Sequence, residues 1–247
     1  IRDMSFAHFL GADWLMTAWT MGFKIPNLSR RLFGEGAAAS SFIPVYSDQL
    51  HNNPGNAQRL ADTVLTVMFV ILVSAVVLGE GGLWVYYRLF AVREGTQTGV
   101  ALASVMLPYM VLICMVALIA GILQVHRHFA APAAAPVVLN IFIISALLVT
   151  GLVFSVDPVR QVFMVAGAVL LAGAAQLLIQ VPPLRARGIC IRPAWGVSDP
   201  AFRRVLFLMG PMILGLTVTQ INTLADDLIA LGFSNEQGRP LGWGAVS

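Results

Sequence analysis

Charge is what this chain lacks. Only 11% of its 247 residues are Asp, Glu, Lys or Arg, against about 25% in an ordinary globular domain. With 58% hydrophobic residues and a mean hydropathy of +0.81, a soluble single-core protein is excluded and an integral membrane protein is indicated. Cysteine is scarce as well. Cys114 and Cys190 have no second cysteine near them in sequence, which argues against a disulfide framework or a cysteine metal site. Walker A, glycine-rich nucleotide, Gly-x-Ser-x-Gly and His-Glu-x-x-His strings do not occur, so neither ATP hydrolysis nor a familiar hydrolase centre is indicated. The net +3 belongs to arginines in loops and at the N-terminal end, so nucleic-acid binding is not indicated either. No cleavable signal peptide is visible.

What is present in quantity is long uncharged sequence. Stretches at 63–79, 95–125, 129–156, 161–184 and 205–225 hold no Asp, Glu, Lys or Arg, and each approaches or exceeds the roughly 17 to 25 residues of a spanning helix. These are expected to be helices 3 to 7. Ahead of them, 12–50 is helical in pattern and interrupted by Pro26 and Pro44. Unbroken, it would extend about 57 Å, so it is expected as a kinked helix 2 with an amphipathic extension. Residues 1–10 read as the end of helix 1, and the chain is expected to be truncated at both ends.

Arginine distribution predicts orientation, because Lys and Arg are enriched on the cytoplasmic side. Arg185, Arg187, Arg192, Arg203 and Arg204 crowd the connection between helices 6 and 7, with Arg59 and Arg127 on the same side. Arg88, Arg93, Arg160 and Arg239 fall opposite, diluted by Glu80, Glu94, Asp157 and Glu236. The 185–204 connection is therefore placed inside. Trp84, Tyr86 and Tyr87 suit the outer interface, with packing in a short extracellular helix as the alternative.

The charges that do enter apolar sequence sit at the N-terminal end: Arg2, Asp3, Asp13, Lys24, Arg30, Arg31 and Glu35. A charge near the bilayer centre costs roughly 2.5 to 3.5 kcal/mol on insertion scales, so it is retained where a cavity, partner or ligand receives it. The planar arginine fork matches phosphate, making a phosphate-bearing anion the natural ligand; snorkelling and internal pairs such as Arg31 with Glu35 are the alternative. The small-residue run at 34–41 reads as a packing seam and secondarily a hinge. Late in helix 7, Asp226 and Asn222 form a candidate cation site, since hard cations favour carboxylate and amide oxygens; the alternative for Asp226 and Asp227 is a marker of the water interface. His126 and His128, two residues apart, do not share a helix face, so no metal site is expected.

The strings themselves resemble a known family. GFKIPNLSRRLFGEG at 22–36 followed by SFIPVY at 41–46, IRD at 1–3, and RRVLFLMGPMILG at 203–215 followed by QIN at 220–222 are similar to signatures of the MurJ (MviN) lipid II flippases. That resemblance implies an all-α integral membrane fold of fourteen helices in the multidrug/oligosaccharidyl-lipid/polysaccharide (MOP) superfamily, a polytopic bundle of two lobes around a central cavity. The chain would supply the end of helix 1 and helices 2 to 6 of the first lobe over 1–199, and helix 7 opening the second lobe over 200–247. Arg2, Asp3 and Arg30 carry over as cavity groups binding substrate, and Lys24, Arg31 and Glu35 lie in the same motif. Thr17 departs from the family, which often has an acidic residue there.

The implied activity is transport, not catalysis. An undecaprenyl-pyrophosphate-linked peptidoglycan precursor would move to the outer leaflet of the bacterial inner membrane, without a cofactor and with coupling to a sodium or proton gradient or the membrane potential. Membrane lipids and cell-wall synthesis or division proteins are the expected partners. The alternatives are an exporter of another lipid-linked oligosaccharide and a transport-dead scaffold of the same fold.

Overall fold

A computed structural model describes residues 14–30, 36–90, 94–154 and 156–232, and the regular elements among them are all helical. In chain order they are α1 (Trp14–Ser29), α2 (Ala37–Asn52), α3 (Pro54–Phe90), α4 (Glu94–Met106), α5 (Tyr109–Val125), α6 (Ala130–Leu148), α7 (Pro158–Ala186) and α8 (Pro200–Gly232). α6 runs on as a wider π-type turn over Val149–Val153. Among the described residues, four stretches are long and apolar enough to cross a membrane: Pro54–Leu89, Gln97–Val125, Ala130–Leu152 and Pro158–Ala186. Helices suit this setting because every backbone N–H and C=O is satisfied within the segment.

The sequence reading placed the interruptions of helix 2 at Pro26 and Pro44. Both prolines lie inside helices, Pro26 in α1 and Pro44 in α2. Neighbouring helices and local adjustment let a membrane helix absorb a proline. The span read at 95–125 is divided at Leu107 and Pro108, with Pro108 preceding the first turn of α5. A proline cannot donate to the preceding turn and disfavours the α conformation in the residue before it. At its start α3 follows α2 after Asn53 alone, so no extended loop occupies 51–62. Its 37 residues extend about 55 Å, well beyond a hydrocarbon core of about 30 Å. Trp84, Tyr86 and Tyr87 ride exposed on the far end of this same helix, and the Arg88 guanidinium lies 5.4 Å from the Trp84 ring centroid.

α5 is the centre of the bundle. Of the most apolar stretch in the Gln97–Val125 span, 72% is buried, compared with 17% in the α6 span; the first is therefore wrapped by the other helices and the second lies at the edge of the described bundle. Cys114, Leu118, Ile122 and Leu123 of α5 are fully enclosed. Glycine permits its closest approaches. A Cβ added at Gly173 of α7 would lie 3.0 Å from Tyr109 and Leu112 of α5, and one at Gly121 would lie 3.0 Å from Ile43 of α2. Two amides then fasten α7 to α6, with Gln161 Nε2 donating to the Leu147 carbonyl (3.2 Å) and Gln176 Nε2 to the Ala135 carbonyl (2.6 Å).

Hydrogen bonds gather the arginine-rich connections at one end. Gln58 Nε2 donates to the Cys190 carbonyl (3.0 Å), the Arg192 backbone N–H to the buried Asp62 carboxylate (3.0 Å), and the Ala194 N–H to Thr66 Oγ1 (3.1 Å). These bonds lay the 187–199 connection along the first turns of α3. Beside it, Arg187 Nε donates to the His126 carbonyl (3.3 Å) and Tyr46 Oη lies 3.0 Å from His126 Nε2. Burial lowers the His126 pKa from its ordinary value, and the Arg187 charge lowers it further.

Two outcomes are expected. Gly173→Val should drive a branched side chain into Tyr109 and Leu112 and cost about 1 to 3 kcal/mol, seen as a lower melting temperature of the detergent-solubilised protein. Gly167→Ala, with no atom within 4 Å of its added Cβ, should melt like wild type. For His126, the folded state holds its proton less readily than the unfolded chain, so the stability it contributes is present above the unfolded pKa and is lost as pH falls through the lower folded one. Melting temperature should therefore decline from pH 7 to pH 5, and decline less in His126→Gln.

Candidate functional site

A cavity of about 840 Å³ opens between α1, α2, α5, α6 and α7. Its walls follow from helical periodicity. Residues 23, 26, 27 and 30 of α1, 113, 116, 117, 120, 121 and 124 of α5, and 132, 135, 136, 139 and 140 of α6 line it, and in each case the spacing of three and four is that of one helix face. The α5 stripe turns small where the cavity lies, through Ala117, Ala120 and Gly121. Two of the α6 wall residues are Pro132 and Pro136. The lining is mostly apolar, as in ligand sites generally, where a few polar groups fix orientation.

Arg30 is the one charged side chain among the described residues that line this space. It sits at the end of α1, part-buried, with Nε at 3.4 Å and Nη2 at 3.2 Å from Asn27 Oδ1, one turn back on the same stripe. Asn27 accepts from one side of the fork and helps to orient it. Ser40, Gln124, Asn140, Tyr109 and Gln176 supply the uncharged polar groups of the wall. Phe23 stacks on Trp19 at 6.0 Å and on Tyr109 at 6.1 Å between ring centroids, fixing the α1 face against α5.

Of the residues singled out in the sequence, Arg30 is placed in the cavity. Lys24 lies on α1, and Asn222 and Asp226 on the C-terminal part of α8; their side chains are outside what the structure describes. Arg2, Asp3, Arg31 and Glu35 lie outside the described residues. The sequence reading missed Tyr109, Gln124, Asn140 and Gln176. Their signal was present, as amide and phenol groups inside spans free of charged side chains, but those spans were read for the absence of charge.

The packed helices and the enclosed basic group define a multi-pass membrane transporter fold, and comparison with known proteins gives the same class. The family model described as Lipid II flippase MurJ matches residues 6–236. A probable lipid II flippase MurJ of Rhizobium tropici is 33% identical over 238 residues, covering 94% of this chain and 44% of that protein. The lipid II flippase MurJ of Burkholderia cenocepacia is 32% identical over 260 residues, covering 100% of this chain and 47% of its own length. A solved structure titled "Lipid II flippase MurJ, inward closed conformation" superposes with a TM-score of 0.74 at 20% identity over 96% of this chain and 49% of that one, a likeness of fold. The chain spans about half the length of the curated relatives it matches. It belongs to the MurJ lipid II flippase family, whose members are multi-pass proteins of the bacterial inner membrane.

Proposed function

We propose that the protein to which this chain belongs moves an undecaprenyl-pyrophosphate-linked peptidoglycan precursor from the cytoplasmic to the outer leaflet, with the pyrophosphate received at Arg30. The observation carrying this reading is the placement of Arg30 in an otherwise uncharged described wall. The planar guanidinium fork matches a phosphate oxygen pair, to which it can donate two parallel charge-assisted hydrogen bonds. The family relationship supplies the lipid carrier. Arg2, Asp3, Lys24, Arg31 and Glu35 complete the substrate-binding set in this reading, and the polyprenyl tail stays in lipid.

Transport of this kind alternates access to a central site between two lobes, here 1–199 and the half that begins at 200. The contact between them runs along the small-residue seam. Ser40 Oγ donates to the Gly36 carbonyl and lies 2.8 Å from Met212 Sδ, and Arg204 Nη1 lies 3.4 Å from Asp48 Oδ2 with both side chains well exposed. An exposed pair of that kind is worth about 0 to 1 kcal/mol, so side-chain packing rather than this ion pair holds the seam. Other subunits of the wall-synthesis or division apparatus are candidate partners, and a sodium or proton gradient or the membrane potential is the candidate energy source.

Arg30→Ala in the full-length protein should abolish complementation of a lipid II flippase depletion strain at unchanged membrane abundance. Arg30→Lys, keeping the charge and losing the fork, should be impaired as well. Normal growth with Arg30→Ala at ordinary abundance would make Arg30 a snorkelling residue.

The coupling ion is assigned to Asp226 with Asn222, because an ion bound there with unequal affinity for the two access states would bias them. Asp226→Asn should leave lipid binding intact and remove the dependence of transport on sodium or on the proton gradient, and Asp227→Asn should be milder. Unchanged ion dependence in Asp226→Asn would move coupling to another part of the protein.

A further inference from the structure

Two buried polar atoms on the cavity wall have no hydrogen-bond partner: the Tyr109 hydroxyl and Gln176 Oε1. Each residue is only 2% exposed, and both line the same space as Arg30. Tyr109 opens α5 and Gln176 lies on α7, where the two helices pack together. The Tyr109 ring lies against Gly173, where an added Cβ would meet Tyr109 Cε2 at 3.0 Å, and Gln176 follows Gly173 by three residues, one turn on. The orientation of the Gln176 amide is set by chemistry, because its 2.6 Å partner is the Ala135 carbonyl, which can only accept. The nitrogen therefore faces α6 and the oxygen is left over.

Buried polar atoms without partners are costly and rare in native proteins. Here two occur on the wall of one cavity, which is also lined by a basic group that would hold an anion. Their chemistry is neutral and two-way: Gln176 Oε1 accepts, the phenol both donates and accepts, and Asn140 on the facing α6 stripe adds an amide. From this we infer that Tyr109, Gln176 and Asn140 form a second subsite for uncharged hydroxyl and amide groups, the chemistry of an N-acetylated sugar carried on the phosphate that Arg30 receives. This rests on the phosphate reading of Arg30. Both orphan oxygens are shut away from solvent in this conformation, so the ligand meets them as the wall parts. It thereby favours the parted state by differential affinity.

The test uses the full-length protein in nanodiscs and two lipids: undecaprenyl pyrophosphate bearing the disaccharide–pentapeptide, and undecaprenyl pyrophosphate alone. Binding is read by native mass spectrometry and melting temperature without ligand by thermal shift. Tyr109→Phe keeps the ring that stacks on Phe23 and removes only the hydroxyl, whereas Gln176→Leu also breaks the bond to Ala135, so Tyr109→Phe is the deciding variant. It should weaken binding of the glycan-bearing lipid roughly 2- to 10-fold, the value of one neutral hydrogen bond. It should leave the bare pyrophosphate lipid unaffected and melt at or above wild type when unliganded. Equal loss for both lipids, no loss for either, or a lowered unliganded melting temperature would overturn the subsite. Arg30→Ala should weaken both lipids alike; if it weakens neither while Tyr109→Phe acts as expected, the phosphate reading falls and the neutral subsite stands.

Discussion

α5 has to be the most tightly packed helix of the bundle and the wall of its cavity at once, and the rest of the arrangement follows from how it does both. On one side Cys114, Leu118, Ile122 and Leu123 are enclosed. On the other, Ala117 and Ala120 face room that no side chain among the described residues fills. Between helices in a membrane there is no hydrophobic gain from excluding lipid, so association depends on close van der Waals contact. Small residues serve that contact at Gly173 and Gly121, and the small stripe of α5 leaves a void where large residues on α1 and α6 do not reach. The same residue class thus makes both the tightest contact and the emptiest space, according to what stands opposite.

The chain between α7 and α8 is fixed by a different kind of force. Asp62 is buried to 6% exposure and accepts from the Gln58 amide and the Arg192 backbone N–H. A buried carboxylate held by neutral donors is worth keeping only if its position matters, because an apolar replacement would avoid the desolvation. What it positions is the connection leading into α8. α2 packs along α8, with the Ser40 hydroxyl beside the Met212 thioether and an exposed Arg204–Asp48 pair among its polar contacts, and the connection leading into α8 is stapled to α3 by three hydrogen bonds. The entry of α8 is thus fixed by directed polar bonds and its length by side-chain packing against α2.

Much of this was legible in the sequence, for physical reasons that differ by element. The spans were readable because a bilayer imposes a minimum apolar length, and Arg30 stood out because a charge in that setting is expensive. Pro26 and Pro44 misled, since the usual rule that proline ends a helix weakens where packed neighbours satisfy the backbone. The wall groups Tyr109, Asn140 and Gln176 were invisible to a search for charge, and their meaning depends on which atoms of theirs are left unpaired, a property of three-dimensional packing. The pairing of Asp62 with residues 130 positions away could not be inferred from local pattern at all.

The contrast between a charged and an uncharged polar wall bears on how a carrier can work. An anion held by Arg30 with equal strength in both access states would shift neither, however tightly it bound. Direction has to come from groups that the ligand meets in one state only. In this cavity Asn27 helps to orient the Arg30 fork, whereas the Tyr109 and Gln176 oxygens are enclosed. Affinity and conformational bias would then reside in different side chains. A ligand with the phosphate alone would be bound without being advanced, so recognition of the uncharged part would determine which lipid is carried.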